Sequence, residues 1–168
     1  MNEHRSTKIH KYYLSLGSNI EPEANLPAAI ELLQNDCRLV ALSSIWETPA
    51  VGAAGPRFLN AVALVETPNS IKNLKCDVLR PIEARLGRVR TRNPNEPRPI
   101  DLDILLYDGR VMDKEIWEYA HLALPLSELL PDLTNPRTDQ TLQLIANELA
   151  RTKPLKRRDD VQIPAFLA

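Results

Sequence analysis

The order in which apolar runs alternate with proline- and glycine-bearing breaks constrains this chain most. Ile9 to Leu16, containing Tyr12-Tyr13-Leu14-Ser15-Leu16, is a β-prone run that stops at Gly17-Ser18-Asn19. Asn25 followed by Pro27 predicts a helix start with proline in the first turn, and Ala28, Ile30, Leu32 and Leu33 give it an apolar face to about Asn35. Leu39 to Glu47 reads as a second strand and Phe58 to Val65 as a third. Ser70 is placed to cap a helix running to about Leu86, which Pro81 should kink or break. Ile100 to Tyr107 is a fourth strand, closed by Asp108-Gly109, with a return strand at 110–112. A short helix at Ser127 to Leu130 and a helix from Gln140 to Ala150 follow. The β-α-β-β-α-β order is met most simply by an α+β fold, a ferredoxin-like antiparallel sheet with two helices on one face. A single domain over residues 1–168 suits the length, with 1–8 and 152–168 as loose ends.

Charge narrows the function classes. Twenty-one basic and 22 acidic residues leave a net −1, without the broad positive footprint of a nucleic-acid binder. No apolar run approaches the ~18 residues that span a bilayer, and no apolar segment follows the charges of Met1 to Lys8 as a secretory signal requires. Cys37 and Cys76 form no CxxC, so a disulfide framework or zinc site is not expected and a reducing cytoplasm fits. The expected assembly is a monomer or weak homodimer, with neither nucleic acid nor membrane as partner.

Asp101-Leu102-Asp103 is the sharpest chemical feature. On a strand these two carboxylates share a face, about 7 Å apart. They read either as ligands of a hard divalent cation such as Mg²⁺ or Mn²⁺ or as acids of an edge strand facing water. Just upstream, Gly87 to Pro99 holds Arg88, Arg90, Arg92 and Arg98 with three prolines and no apolar period. A solvated loop is the bland account of any one arginine. Four beside an acid pair suggest a nucleotide polyphosphate bridged by Mg²⁺. There is no Walker A motif and no protein-kinase motif set. Phe58 and Asn60 also share a strand face, after the stiff turn of Thr48-Pro49. They read as core phenylalanine and turn asparagine, or as a ring and an amide that stack on and read a flat heterocycle. His121, between Ala120 and Leu122, reads as a partly buried histidine.

Taken together, these segments resemble the 6-hydroxymethyl-7,8-dihydropterin pyrophosphokinases of folate biosynthesis. The matching stretches are Leu14-Ser-Leu-Gly-Ser-Asn19, Ser43-Ser-Ile-Trp-Glu-Thr-Pro49, Phe58-Leu-Asn-Ala61, Ile82-Glu83 with Leu86-Gly-Arg-Val-Arg90, and Pro97-Arg-Pro-Ile-Asp-Leu-Asp-Ile-Leu105. The resemblance implies an ATP-dependent transferase, in which the pterin hydroxymethyl oxygen attacks the β-phosphorus and AMP leaves. It implies Asp101 and Asp103 as ligands of two Mg²⁺ ions, Arg88 and Arg98 as triphosphate-gripping and catalytic arginines, and Arg90 as an arginine of a mobile loop. It implies Thr48, Pro49 and Val51 as pterin-pocket positions, Phe58 as the lower stacking ring, Asn60 as the amide that reads the pterin, and Glu83 in support. Counting back from Pro125-Leu126 equates His121 with the second stacking aromatic, the preferred alignment; reading forward equates it with an ATP-contacting histidine. Two departures stand out: Asn95-Glu96 where many relatives have Trp-Gly, and a shorter stretch from Tyr119 to Leu126 with no counterpart for one expected arginine. A non-catalytic pterin or nucleotide binder on the same scaffold, or a pyrophosphokinase for a related pterin, stays open on sequence alone.

Overall fold

Alternation along the central strand divides the molecule into two layers. In β1 (His10–Ser18), Tyr12, Leu14 and Leu16 are buried on one face, leaving Tyr13, Ser15 and Gly17 to the other. The computed structural model describes residues 7–50 and 55–165. β1 lies between β4 (Phe58–Thr67) and β5 (Asp101–Tyr107), antiparallel to both. The seven-stranded sheet runs β6 (Arg110–Val111), β5, β1, β4, β3 (Trp46–Thr48), β7 (Lys156–Arg157), with β2 (Arg38–Leu42) also paired to β4. This is the expected ferredoxin-like arrangement, with the fourth, first, third and second core strands side by side.

On the first face, Leu14, Leu16, Leu59 and Leu102 pack against Leu26, Ile30 and Leu33 of α1 (Pro22–Asp36) and against Leu74, Leu79 and Ile82 of the second helical segment. Each fully buried Leu or Ile contributes about 1.5–3 kcal/mol. The second face is covered only in part. There Val62, Leu105 and Leu106 meet Leu122 and Leu126 of α4 (Ala120–Leu129) and Leu142 of α5 (Leu142–Ala150). The rest of that face is the cleft described below.

Several elements differ from the expectation, each for a local reason. β1 runs through Gly17 to Ser18 instead of stopping at the glycine. α1 begins at Pro22, one turn early, because that proline occupies the first helical position, and Pro27 lies inside. The single strand expected over 39–47 is split into β2 and β3. At the break the Ser43 amide donates to the Val62 carbonyl and the Ser43 Oγ accepts from the Val62 amide, both at 2.9 Å, so a hydroxyl stands in for a ladder carbonyl. Pro81 does not break its helix. α2 (Ile71–Asn73), capped by Ser70, widens into a π-helical stretch (Leu74–Leu79) before α3 (Arg80–Arg85), whose second residue is that proline. The short helix expected at 127–130 starts instead at Ala120. Pro125 disguises it by withholding the N–H that the His121 carbonyl would accept. Of the expected loose end 152–168, residues 152–165 are described, and they include β7 and the buried Val161. A run rich in charge hid an edge strand.

Candidate active site

Register across three strands gathers the site. Gly17 of β1 pairs with Asn60 on one side and Asp101 on the other, and Ser15 pairs with Asp103. Phe58 and Asn60 therefore face the same way as the acid pair, two strand steps apart, which is about 10 Å. Between them opens a cavity of about 230 Å³, bounded by Thr48, Phe58 and Asn60 at one end, Asp101 and Asp103 at the other, and His121 on the wall made by α4. Pro49 and Arg98 also reach it. Val51 lies outside the described residues.

The ring end is fixed by close packing. Asn60 is buried and donates from Nδ2 to the Thr48 Oγ1 at 2.7 Å. That bond orients the amide and leaves its Oδ1 toward β1. A Cβ on Gly17 would stand 3.2 Å from that Oδ1, tighter than side chains normally pack, and in ordinary contact with the Phe58 ring at 3.8 Å, so the glycine is what lets the Asn60 amide lean over the central strand. His121 is half-buried in the first turn of α4, its ring centroid 5.6 Å from that of Tyr119. Burial lowers its pKa against the pull of Asp113 and Asp101, which favours a neutral, flat imidazole.

At the acid end, Arg88 donates to Asp101 Oδ1 at 2.6 Å and Arg98 to Asp101 Oδ2 at 3.0 Å. Arg88 also meets Glu83, and Arg90 reaches Glu83 at 2.9 Å. Burial works against the charge on Arg88, but Asp101 and Glu83 outweigh it and raise its pKa. Glu83 is only 3% exposed; burial raises its pKa, opposed by Arg88 and Arg90. Glu83 is thus the buried anchor that aims two arginines. Arg98 is bound into its own loop, through the Pro94 carbonyl and the Glu96 carbonyl. Its backbone amide donates to the Asn19 Oδ1 at 2.7 Å. Arg90 lies on Glu83, away from the acid pair, with its side chain 61% exposed.

Asp103 has no arginine partner among the described residues. It opens to the cleft, yet protein crowds it on most sides. Desolvation first, then Asp101 and Glu83, push its pKa up to about 6. An anion held at such cost suits a cation. No cluster of three or more His, Cys, Asp or Glu fit for a metal occurs among the described residues. Two carboxylates without a third ligand match Mg²⁺, which keeps its waters and takes the remaining oxygens from substrate phosphates. The donor set therefore fits a metal that arrives with a nucleotide.

Sequence reasoning overlooked Ser15, Gly17, Asn19, Asp113 and Glu115. All five line the cavity. The Gly17-Ser18-Asn19 turn signal was visible, but only strand register shows what it carries.

A ferredoxin-like sheet bearing an acid pair, converging arginines and a cavity beside Phe58 and Asn60 is the arrangement of a group-transfer enzyme of the nucleotide-dependent kind. Residues 13–131 match the family model described as 7,8-dihydro-6-hydroxymethylpterin-pyrophosphokinase, and the chain belongs to this family, the ATP-dependent pterin pyrophosphokinases of folate synthesis. It is 35% identical over 150 residues to the 2-amino-4-hydroxy-6-hydroxymethyldihydropteridine pyrophosphokinase of Pseudomonas aeruginosa, covering 82% of this chain and 91% of that one. Its counterpart in Methylorubrum extorquens is 39% identical over 133 residues, 72% of this chain and 83% of that one. Folic acid synthesis protein fol1 of Schizosaccharomyces pombe is 36% identical over 161 residues; the match covers 89% of this chain but only 22% of that longer protein. A crystal structure of wild-type Plasmodium falciparum HPPK-DHPS with pteroate shares the fold, with a TM-score of 0.67 at 12% identity over 84% of this chain and 42% of that one. No helix among the described residues is long and apolar enough to cross a membrane.

Proposed function

We propose that this cleft transfers the diphosphate of ATP to the hydroxymethyl group of 6-hydroxymethyl-7,8-dihydropterin and releases AMP. The observation that supports this reading is the register of β4, β1 and β5, in which Phe58 with Asn60 and the acid pair share one face with a glycine between them. Phe58 and His121 take the two faces of the pterin, and Asn60, held by Thr48, reads its edge beside Pro49. Asp101 and Asp103 would hold two Mg²⁺ ions, which would supply charge neutralisation and alignment of the phosphates. Arg88 stays anchored on Glu83 and turns its remaining N–H groups to the triphosphate. Arg98 exchanges its loop carbonyls and Asp101 for phosphate oxygens, which would open Asp101 Oδ2 to a metal while Arg88 keeps Oδ1. Arg90, on its exposed arm, swings in from the loop. The hydroxymethyl oxygen forms its bond to the β-phosphorus, the bond from that phosphorus to the α-phosphate oxygen breaks, AMP carries off the electron pair, and the hydroxyl proton passes to water. Positioning and charge supply the rate.

The test is AMP release from ATP measured with pterin and Mg²⁺ each present or withheld. AMP is expected only when all components are present. AMP at background, with pterin and nucleotide still bound, would replace this reading with a binding protein.

A further inference from the structure

The family match ends at residue 131, but residues 154–163 return to the cleft and grip both stems of the loop joining β3 to β4. On the first stem, β7 pairs with β3, Trp46 opposite Arg157 and Glu47 opposite Lys156. The Arg158 amide adds a bond to the Ile45 carbonyl at 2.9 Å. On the second stem, Arg57, just ahead of β4, donates to the Pro154 carbonyl at 3.3 Å. Farther on, Val161 is buried in the same core as Leu59, and Ile163 packs against it.

Arg158 is the hub of this arrangement. Its side chain is 14% exposed and reaches Glu47 at 3.5 Å, Glu23 in the first turn of α1 at 3.3 Å, and Asp160 at 2.8 Å. Glu47 lies between Trp46 and Thr48, so its side chain is on the back of β3 while Thr48 is on the front. The guanidinium thus holds from behind the strand whose front offers Thr48 to Asn60.

We propose that residues 154–163 brace the pterin end of the cleft, with Arg158 as the positioning residue that fixes Thr48 against Asn60. The proposal rests on the reading of Thr48, Phe58 and Asn60 as pterin contacts. Glu23 and Asp160 are largely exposed, and ion pairs with exposed partners add little to stability. Loss of Arg158 is therefore felt in the order of β3 rather than in the unfolding temperature.

Steady-state kinetics of the full chain test it, with Arg158→Ala, Arg158→Lys, Arg57→Ala and Phe58→Ala in parallel. The pterin KM is expected to rise roughly tenfold in Arg158→Ala, equivalent to about 1.4 kcal/mol. A smaller rise is expected in Arg57→Ala and partial recovery in Arg158→Lys. The ATP KM and kcat should hold within about twofold while amide exchange at Trp46 to Thr48 accelerates. Equal rises in both KM values, or an unchanged pterin KM, would overturn the brace. Should Arg158→Ala fail to fold, the exposed Arg57→Ala decides by the same criteria. If Phe58→Ala leaves the pterin KM untouched, the pterin reading falls and the brace with it. If Phe58→Ala raises it and Arg158→Ala does not, the brace alone fails.

Discussion

Asp101 and Asp103 sit two residues apart on one strand, yet the fold treats them differently. Asp101 is neutralised by two arginines and Asp103 by none. Replacing either with alanine is expected to cut turnover by about 10³-fold or more, because a metal clamp supplies several kcal/mol. Circular dichroism should show an intact fold. Turnover near the parent level in either variant would sink the metal assignment. Asp103→Asn carries a separate expectation in metal-free protein. A carboxyl whose folded pKa is raised favours folding while protonated, and that advantage disappears as pH rises through about 6. The asparagine variant should therefore melt above the parent at pH 7, and the gap should close as pH falls toward 4; an unchanging gap across that range would refute the crowding argument. At the ring end, Phe58→Ala is expected to weaken pterin binding by about 1–3 kcal/mol, by analogy with base–aromatic stacking, which is roughly 5- to 150-fold in Kd. Calorimetric titration with the pterin measures it.

Strands and helices show how far the sequence could be read. Phe58 with Asn60, and Asp101 with Asp103, were visible as same-face pairs because strand periodicity is two. Their convergence was not, since it depends on β1 running between β4 and β5. Gly17 looked like a terminator because glycine usually ends a strand run, and what explains it is the Asn60 Oδ1, which a Cβ at this position would meet at 3.2 Å. Gly17→Ala is expected to lower pterin affinity while leaving ATP affinity alone, since the added Cβ presses on the Asn60 amide and not on Asp101. Equal loss of both affinities in binding titrations would argue against that close approach. α4 was foreshortened because Pro125 masked its first turns, and the strand at 156–157 was taken for a tail because its residues are charged. Tertiary pairing overrides local signals most readily at edges, where one neighbour is enough.

On the scale of the whole molecule, the half-covered second face is what makes the fold an enzyme. α4 and α5 bury Val62, Leu105 and Leu106 but leave Gly17, Asp101 and Asp103 facing the cleft, so on the proposed reading substrate would complete the surface that the helices do not cover. Ligand and stability are then linked. At a ligand concentration 100 times Kd, binding to the folded state alone adds about 2.7 kcal/mol. For a chain of this size that is an upward shift in Tm of roughly 5–10 °C. Mg²⁺ by itself finds only two carboxylates, one of them already held by arginines, and should shift Tm little. ATP by itself meets the arginines but also the repelling acids. The two together should shift Tm by more than the sum of their separate effects, because each supplies what the other's site lacks. A thermal melt with the four combinations, repeated on Asp103→Ala, measures this coupling. It should be present in the parent and lost in the variant; additive shifts in the parent would mean that metal and nucleotide do not meet at this pair.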